Sequence, residues 1–243
     1  MFLDPTQPPR RSRLRRVFFQ LHLWTGLIAG LYIVVVSVSG SAVVFRREIS
    51  RTLLGSAGDG PYPAGLVLLD SIVKLHADLW LEDTGRLING VGGIACGILC
   101  VTGAVIWWRG RRSWYRGLMV KRGARWRAAL FDWHSALGAW TFFFLFVWAI
   151  TGIYFAFPDA FLAVVDYFEP LRDDSFEERT GDLIIAWLVR MHFGRFGGLG
   201  VRVTWTLAGL VPVVLFVTGG LMWWHKRRAT QSRGESLQSR TYG

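Results

Sequence analysis

Four of the five histidines in this chain recur in register. His22 lies in "FFQLHLWTGLIAG" and His134 in "LFDWHSALG". Each is followed by glycine at +4 (Gly26, Gly138), by Ser-Gly or Thr-Gly ending at +18 (Gly40, Gly152) and by phenylalanine at +23 (Phe45, Phe157). His76 in "KLHADL" and His192 in "RMHFGR" form a second set. Each is followed by arginine at +10 (Arg86, Arg202), by Val-Thr-Gly ending at +27 (Gly103, Gly219) and then by Trp-Trp (Trp107-Trp108, Trp223-Trp224). Imidazoles at equivalent positions of a duplicated chain can meet at its pseudo-two-fold axis. Two neutral imidazoles opposed at equal depth suit a planar metal macrocycle held from both faces. A six-coordinate iron of that kind favours electron transfer over oxygen binding. A plainer reading stays open, in which each histidine only hydrogen-bonds between helices. A lone Zn or Cu ion would want Cys, Met or carboxylate company, which His22 and His134 lack; Asp132 is two residues from His134 and on a different helix face.

The elements that carry these residues are long and apolar. The 243 residues are 52% hydrophobic, with 13 Trp and 17 Phe. Stretches at 17–45, 87–108, 130–157 and 203–224 each reach the ~20 residues that a bilayer core requires. The chain therefore reads as an all-α integral membrane protein of four transmembrane helices, arranged as two tandem two-helix repeats. Residues 1–243 form a single membrane domain, with repeats at 17–109 and 128–225 and a disordered tail at 226–243. The register is gap-free within each pair of repeats, and only the linker between paired histidines differs, at 54 against 58 residues. The outer segments are short, about 40 residues each, with an amphipathic segment at 66–79.

Charge placement sets the orientation. The N-terminal segment, the 109–127 loop and the C-terminal tail carry 18 Lys/Arg against Asp4, Asp132 and Glu235. The other side, 46–86 and 158–202, carries 10 Lys/Arg and 14 Asp/Glu. The positive-inside rule expects both termini in the cytoplasm, a multi-pass protein with N-in and C-in topology. The net charge of +11 thus reads as a topology signal, not as a nucleic-acid surface. The first apolar stretch is far longer than a signal-peptide core. Cys96 and Cys100, one helical turn apart in the second span, imply neither a disulfide framework nor a zinc site. No CxxCH is present, so any haem would be non-covalent. His225 sits in "WWHKRR" at a cytoplasmic helix end and reads as an interface residue.

A porphyrin needs an apolar slot. Gly26 and Gly138 lie on roughly the same helix face as their histidines, and Gly40 and Gly152, five turns along, return to it. Small residues there leave room for a flat ring or for close helix packing. Arg86 and Arg202 stand at matching positions where they could pair with the propionates of an outer haem. Most of the tryptophans at 80, 107, 108, 223 and 224 read as an aromatic belt.

Three segments carry a family resemblance: "LHLWTGLIAGLYIVVVSVSGSAVVFRREI", "LHADLWLEDTGRLINGVGG…VTGAVIWW" and "FDWHSALGAWTFFFLFVWAITGIYFAF". They resemble the PepSY-associated transmembrane proteins, which include iron-regulated bacterial inner-membrane proteins and ferric-siderophore reductases. The resemblance covers nearly the whole chain apart from its ends. It implies haem-dependent electron transfer across the bacterial inner membrane, with His22, His76, His134 and His192 as axial ligands of two b-type haems. An electron donor in the cytoplasm and a periplasmic ferric chelate or partner protein are the implied partners, beside the lipid bilayer. The implied activity is that of an oxidoreductase. Many relatives carry a sizeable periplasmic PepSY domain, and here the outer segments are short. The competing expectation is a non-redox membrane subunit or accessory of an iron or siderophore uptake system. A channel is disfavoured, because no span centre carries a charged residue to mark an ion path.

Overall fold

Apolar runs this long cannot leave backbone polar groups unpaired in lipid, so they fold as helices. The computed structural model describes residues 10–57, 62–108, 114–121, 123, 125–170 and 179–241. Parts of the basic 109–127 loop and of the acidic 158–202 segment lie outside these residues, as do the side chains at 10–12, 56–57 and beyond 231. The described elements are α1 (Arg10–Val43), α2 (Arg46–Ala57), α3 (Ala64–Asp78), α4 (Glu82–Trp107), a 3₁₀ turn (Trp114–Gly117), α5 (Trp126–Ala156), α6 (Pro158–Phe168), α7 (Thr180–His192) and α8 (Leu199–Thr241).

α1, α4, α5 and α8 are long and apolar enough to cross a membrane. Their outward faces expose Ile28, Leu31, Val91, Trp140, Phe143 and Leu207. An apolar belt of this extent is satisfied by lipid and not by water. The four spans form a ring in the order α1, α4, α5, α8, so α1 faces α5 across the bundle axis. Close approach relies on small residues. A side chain at Gly30 would strike Phe216 of α8, and one at Gly93 would come within 3.1 Å of the Ala149 carbonyl of α5.

The segments at the face opposite the termini are helical, which the sequence shows only in part. The amphipathic stretch at 66–79 becomes α3, packed on α1 and α4. α7 is its counterpart in the second repeat and packs on α5. α2 and α6 are too short to announce themselves by periodicity. In the 226–243 segment α8 continues as helix as far as Thr241. That segment holds no proline and one interior glycine, Gly234, so nothing stops propagation from a long preformed helix.

The turn from α3 to α4 is tightly wound. Leu79, Trp80 and Glu82 have φ of 54°, 58° and 50°, in the left-handed region that costs a non-glycine residue about 1 kcal/mol. The Asp78 side chain accepts from Trp80 N–H at 2.9 Å, and its carbonyl accepts from Leu81 N–H at 2.8 Å. Gly85 lies directly against that carbonyl, where no Cβ fits. We expect Gly85→Ala to destabilise the protein by about 1–3 kcal/mol, as overpacking does. Gly97→Ala, in a helix interior with open space, should be neutral or stabilising. Thermal unfolding of the two variants in detergent checks the contrast, and equal melting temperatures would refute the role of the turn.

Candidate functional site

α1 and α5 face each other across the axis, and this sets His22 against His134 with ring centroids 6.2 Å apart and planes crossing at 88°. α3 and α7 dock beside the opposite ends of the same spans. They set His76 against His192 at 6.1 Å with planes at 47°. Along α1, His22 and Ser39 (which touches His76) are separated by roughly 25 Å at 1.5 Å per residue. The two pairs therefore stand near opposite faces of a ~30 Å core.

Every imidazole is tied at Nδ1 to oxygen on a neighbouring helix. His22 Nδ1 lies 3.0 Å from Thr102 Oγ1, and His134 Nδ1 3.0 Å from Thr218 Oγ1 and 3.1 Å from the Leu215 carbonyl. His76 Nδ1 lies 2.9 Å from the Val36 carbonyl with Ser39 Oγ beside it, and His192 Nδ1 2.6 Å from Thr151 Oγ1. The hydroxyl hydrogens are already spent. Thr102 donates to Ile98, Thr218 to Val214, Thr151 to Val147 and Ser39 to Val35, all backbone carbonyls one turn back. Those oxygens can then only accept from the ring, which fixes the Nδ1–H tautomer and leaves a lone pair on Nε2. Among the described residues none of the four Nε2 atoms makes a hydrogen bond, and each ring is only half-buried.

On α7, outside the spans, burial in the first place and the neighbouring His76 hold His192 down to about 3. Burial also lowers His76, against a hydrogen bond to Val36 that raises it. Both are neutral at physiological pH, the form that binds a metal.

A metal–imidazole bond of about 2.0–2.1 Å, plus about 1.1 Å from the nitrogen to the ring centre, separates two rings on one metal by roughly 6.3 Å. Both observed separations agree. Among the described residues no group of three His, Cys, Asp or Glu could hold an ion. A bare Zn or Cu ion would have two protein ligands, whereas a macrocyclic iron needs only two. The donor set and the ring separations are compatible with a haem at each pair, which His22 with His134 and His76 with His192 would hold.

The remaining residues singled out from the sequence sort as follows. Gly103 and Gly219 guard the first pair: an added Cβ would come within 3.2 and 3.3 Å of Cε1 of His22 and His134. Gly40 serves the second pair, its Cβ position falling 2.7 Å from Cε1 of His76, while Gly152 has open space. Gly26 and Gly138 leave room too, with only a leucine methyl in ordinary contact at 3.6 and 3.9 Å. Arg86 pairs with Asp83 on its own helix and Arg202 with Glu48 of α2, so both guanidiniums already hold a carboxylate. Asp132 accepts from the Lys121 N–H at 3.3 Å, and His225 packs edge-on against Trp126 at 4.4 Å. The hydroxyls of Ser39, Thr102, Thr151 and Thr218 carry a role that spacing alone did not assign. Their signal was present in the Ser/Thr-Gly repeats aligned as duplication markers.

Two symmetric histidine pairs, one between the spans and one at their ends, define a polytopic membrane protein built around paired imidazoles. The PepSY-associated TM region family matches residues 19–71, 54–171 and 169–226, and the chain belongs to that family. A relative, the uncharacterized protein PA4219 of Pseudomonas aeruginosa, is 33% identical over 87 residues. That match covers 35% of this chain and 21% of the relative, so the aligned part spans about a fifth of the relative's length.

Thr151→Val should leave the His192 Nδ1–H without an acceptor and destabilise the protein by about 1–3 kcal/mol. Thr204→Val, which removes an exposed hydroxyl bonded only to its own helix, should cost far less. Thermal melts of the two variants check this; an equal effect would refute the anchoring role.

Proposed function

We propose that this chain is a two-haem electron conduit of the bacterial inner membrane. In this reading both termini are cytoplasmic, and electrons from a cytoplasmic donor reach a ferric chelate on the periplasmic side. The observation that carries the reading is the repeated geometry of the histidines. Two ring pairs stand 6.2 and 6.1 Å apart, each ring bonded through Nδ1 and with no Nε2 bond among the described residues, an arrangement suited to ligating one metal per pair. When bound, the iron of each haem would supply a reversible one-electron couple.

The protein's own work is ligation, orientation and exclusion of water. Hydrogen bonds from Nδ1 raise the basicity of Nε2 and hold each ring at a set angle. The threonine and serine hydroxyls are themselves held by backbone carbonyls, so each ring meets a fixed acceptor and turning it breaks the Nδ1 bond. His192 of the second pair lies in a more aromatic setting than the other three, with Phe155 and Phe193 rings 5.1 and 5.3 Å away. Around a bound haem, an apolar surround of this kind would disfavour the charged ferric form and so raise the potential. At the acceptor, one electron takes the chelated ferric ion to ferrous. The lower charge weakens hard oxygen ligation, and the iron is released.

A non-redox accessory role would use the same Nδ1 bonds merely to pack helices. It leaves the four free Nε2 atoms and the matched 6 Å separations without a purpose.

The purified protein from haem-replete cells should show two low-spin haems per chain in oxidised and dithionite-reduced spectra. His22→Ala or His134→Ala should remove one haem, and His76→Ala or His192→Ala the other. Haem-free wild-type protein, or full haem content in His22→Ala, would overturn the reading.

A further inference from the structure

At the face opposite the termini a cavity of about 420 Å³ opens between α2 and α3. Arg46, Arg47, Ser50 and Arg51 line it from α2, and Leu69 and Asp70 from α3. Arg195, three residues past His192, joins the same positive field. Burial first, then Arg47 and Arg46, lower its guanidinium from the ordinary value, and Glu48 acts against them. The nearby carboxylates are otherwise engaged: Glu48 with Arg202, and Asp70 with the Tyr62 hydroxyl at 2.8 Å. Among the described residues none of Arg46, Arg47, Arg51 or Arg195 belongs to a salt bridge. The Arg195 guanidinium lies 4.5 Å over the Phe193 ring, whose centroid is 5.3 Å from that of His192.

Arg46, Arg47 and Arg51 share this concavity with a single carboxylate, Asp70, so its field is net positive, and a bound anion would relieve the repulsion among the guanidiniums. Their planar forks match carboxylate and phosphate oxygens. On the α1 side the cluster begins six residues beyond Gly40, whose backbone lies against His76; on the α7 side it reaches His192 through Phe193. The positive field is thus adjacent to the histidine pair that faces the acceptor.

We propose that this arginine-lined cavity binds the oxyanions of a polyanionic ferric chelate and so selects an acidic acceptor at the second histidine pair. The inference rests on the electron-conduit reading for its substrate, but the binding site itself is testable without electron flow. A lipid headgroup phosphate offers the same chemistry, and the test separates the two sources.

The full chain, reconstituted in nanodiscs of phosphatidylcholine alone, is titrated with gallium(III) citrate, a redox-inert polyanion, by calorimetry. Saturable binding is expected. In the R46Q/R47Q/R195Q variant it should weaken by about tenfold or more, as expected for the loss of several charge-assisted contacts, and in the wild type it should weaken as salt rises. Arg190→Gln, a surface cation stacked on Trp187, should bind as wild type does. Equal affinity in the wild type and the triple variant overturns the inference. So does loss of chelate binding in discs that contain phosphatidylglycerol, which would assign the arginines to lipid. Loss of one haem from the triple variant with chelate binding intact would assign them to haem propionates and overturn it as well. Because gallium accepts no electron here, the visible spectra of the same samples judge the conduit reading separately.

Discussion

The structure depends on the cost of burying an imidazole between or against the ends of membrane-spanning helices. A ring nitrogen with no partner in that setting loses its hydrogen bonds to water and gains nothing. All four rings meet the cost in the same way, by donating Nδ1–H to an oxygen on a neighbouring helix. The acceptor is a threonine hydroxyl three times and a backbone carbonyl beside a serine once. Because each hydroxyl hydrogen already serves its own helix, the direction of every bond is fixed. The outcome is four neutral imidazoles with one tautomer and one free lone pair.

This arrangement binds the two sites to each other through the helices. α1 carries His22 of one pair and the Ser39–Val36 acceptors of the other. α5 repeats the plan with His134 and Thr151. α4 and α8 supply Thr102 and Thr218 to the first pair, and α3 and α7, joined to them by short turns, deliver the second. Each span therefore contributes to both ends of the bundle. A shift of one helix along its axis would loosen both pairs, and this constrains the register of the whole ring more strongly than apolar packing in lipid can.

The two halves solve one positional problem with different chemistry. In the register set by the histidines, Asn89 corresponds to Trp205 and Tyr32 to Phe144. Asn89 Nδ2 donates to the His76 and Ala77 carbonyls at 3.0 and 2.8 Å, and Tyr32 hydroxyl donates to Asn89 Oδ1 at 2.7 Å. Trp205 Nε1 donates to the Met191 carbonyl at 2.6 Å with Phe144 packed edge-on at 5.0 Å, and Trp148 Nε1 reaches the His192 carbonyl at 3.3 Å. Both sets satisfy the open carbonyls at the end of the helix that carries the second-pair histidine. The first half uses a polar chain and a strained turn at Leu79–Glu82. The second uses indoles and a turn with a glycine, Gly194, at φ of 62°. The environments of His76 and His192 thus differ although their ring spacing follows the same plan.

The spans and the pairing of the histidines were legible in the sequence, because hydropathy and internal duplication are carried by long, gap-free patterns. The partners of the arginines were not. Arg202 meets Glu48 across two repeats, a contact that no spacing encodes, and α2 holds too few residues for its periodicity to be read. The hydroxyls fall between these cases. Ser39 and Thr151, at +17 from the first histidines, and Thr102 and Thr218, at +26 from the second, stand directly before the glycines that marked the repeat. As text, Ser-Gly and Thr-Gly look like small residues for helix packing. Only the crossing of α1 with α3 and of α5 with α7 turns the +17 position toward the second pair, and only the crossing of α4 with α1 and of α8 with α5 turns the +26 position toward the first. The dipeptide carries two functions at once: the hydroxyl fixes the ring, and at Gly40, Gly103 and Gly219 the glycine beside it keeps a side chain out of the space the ring occupies.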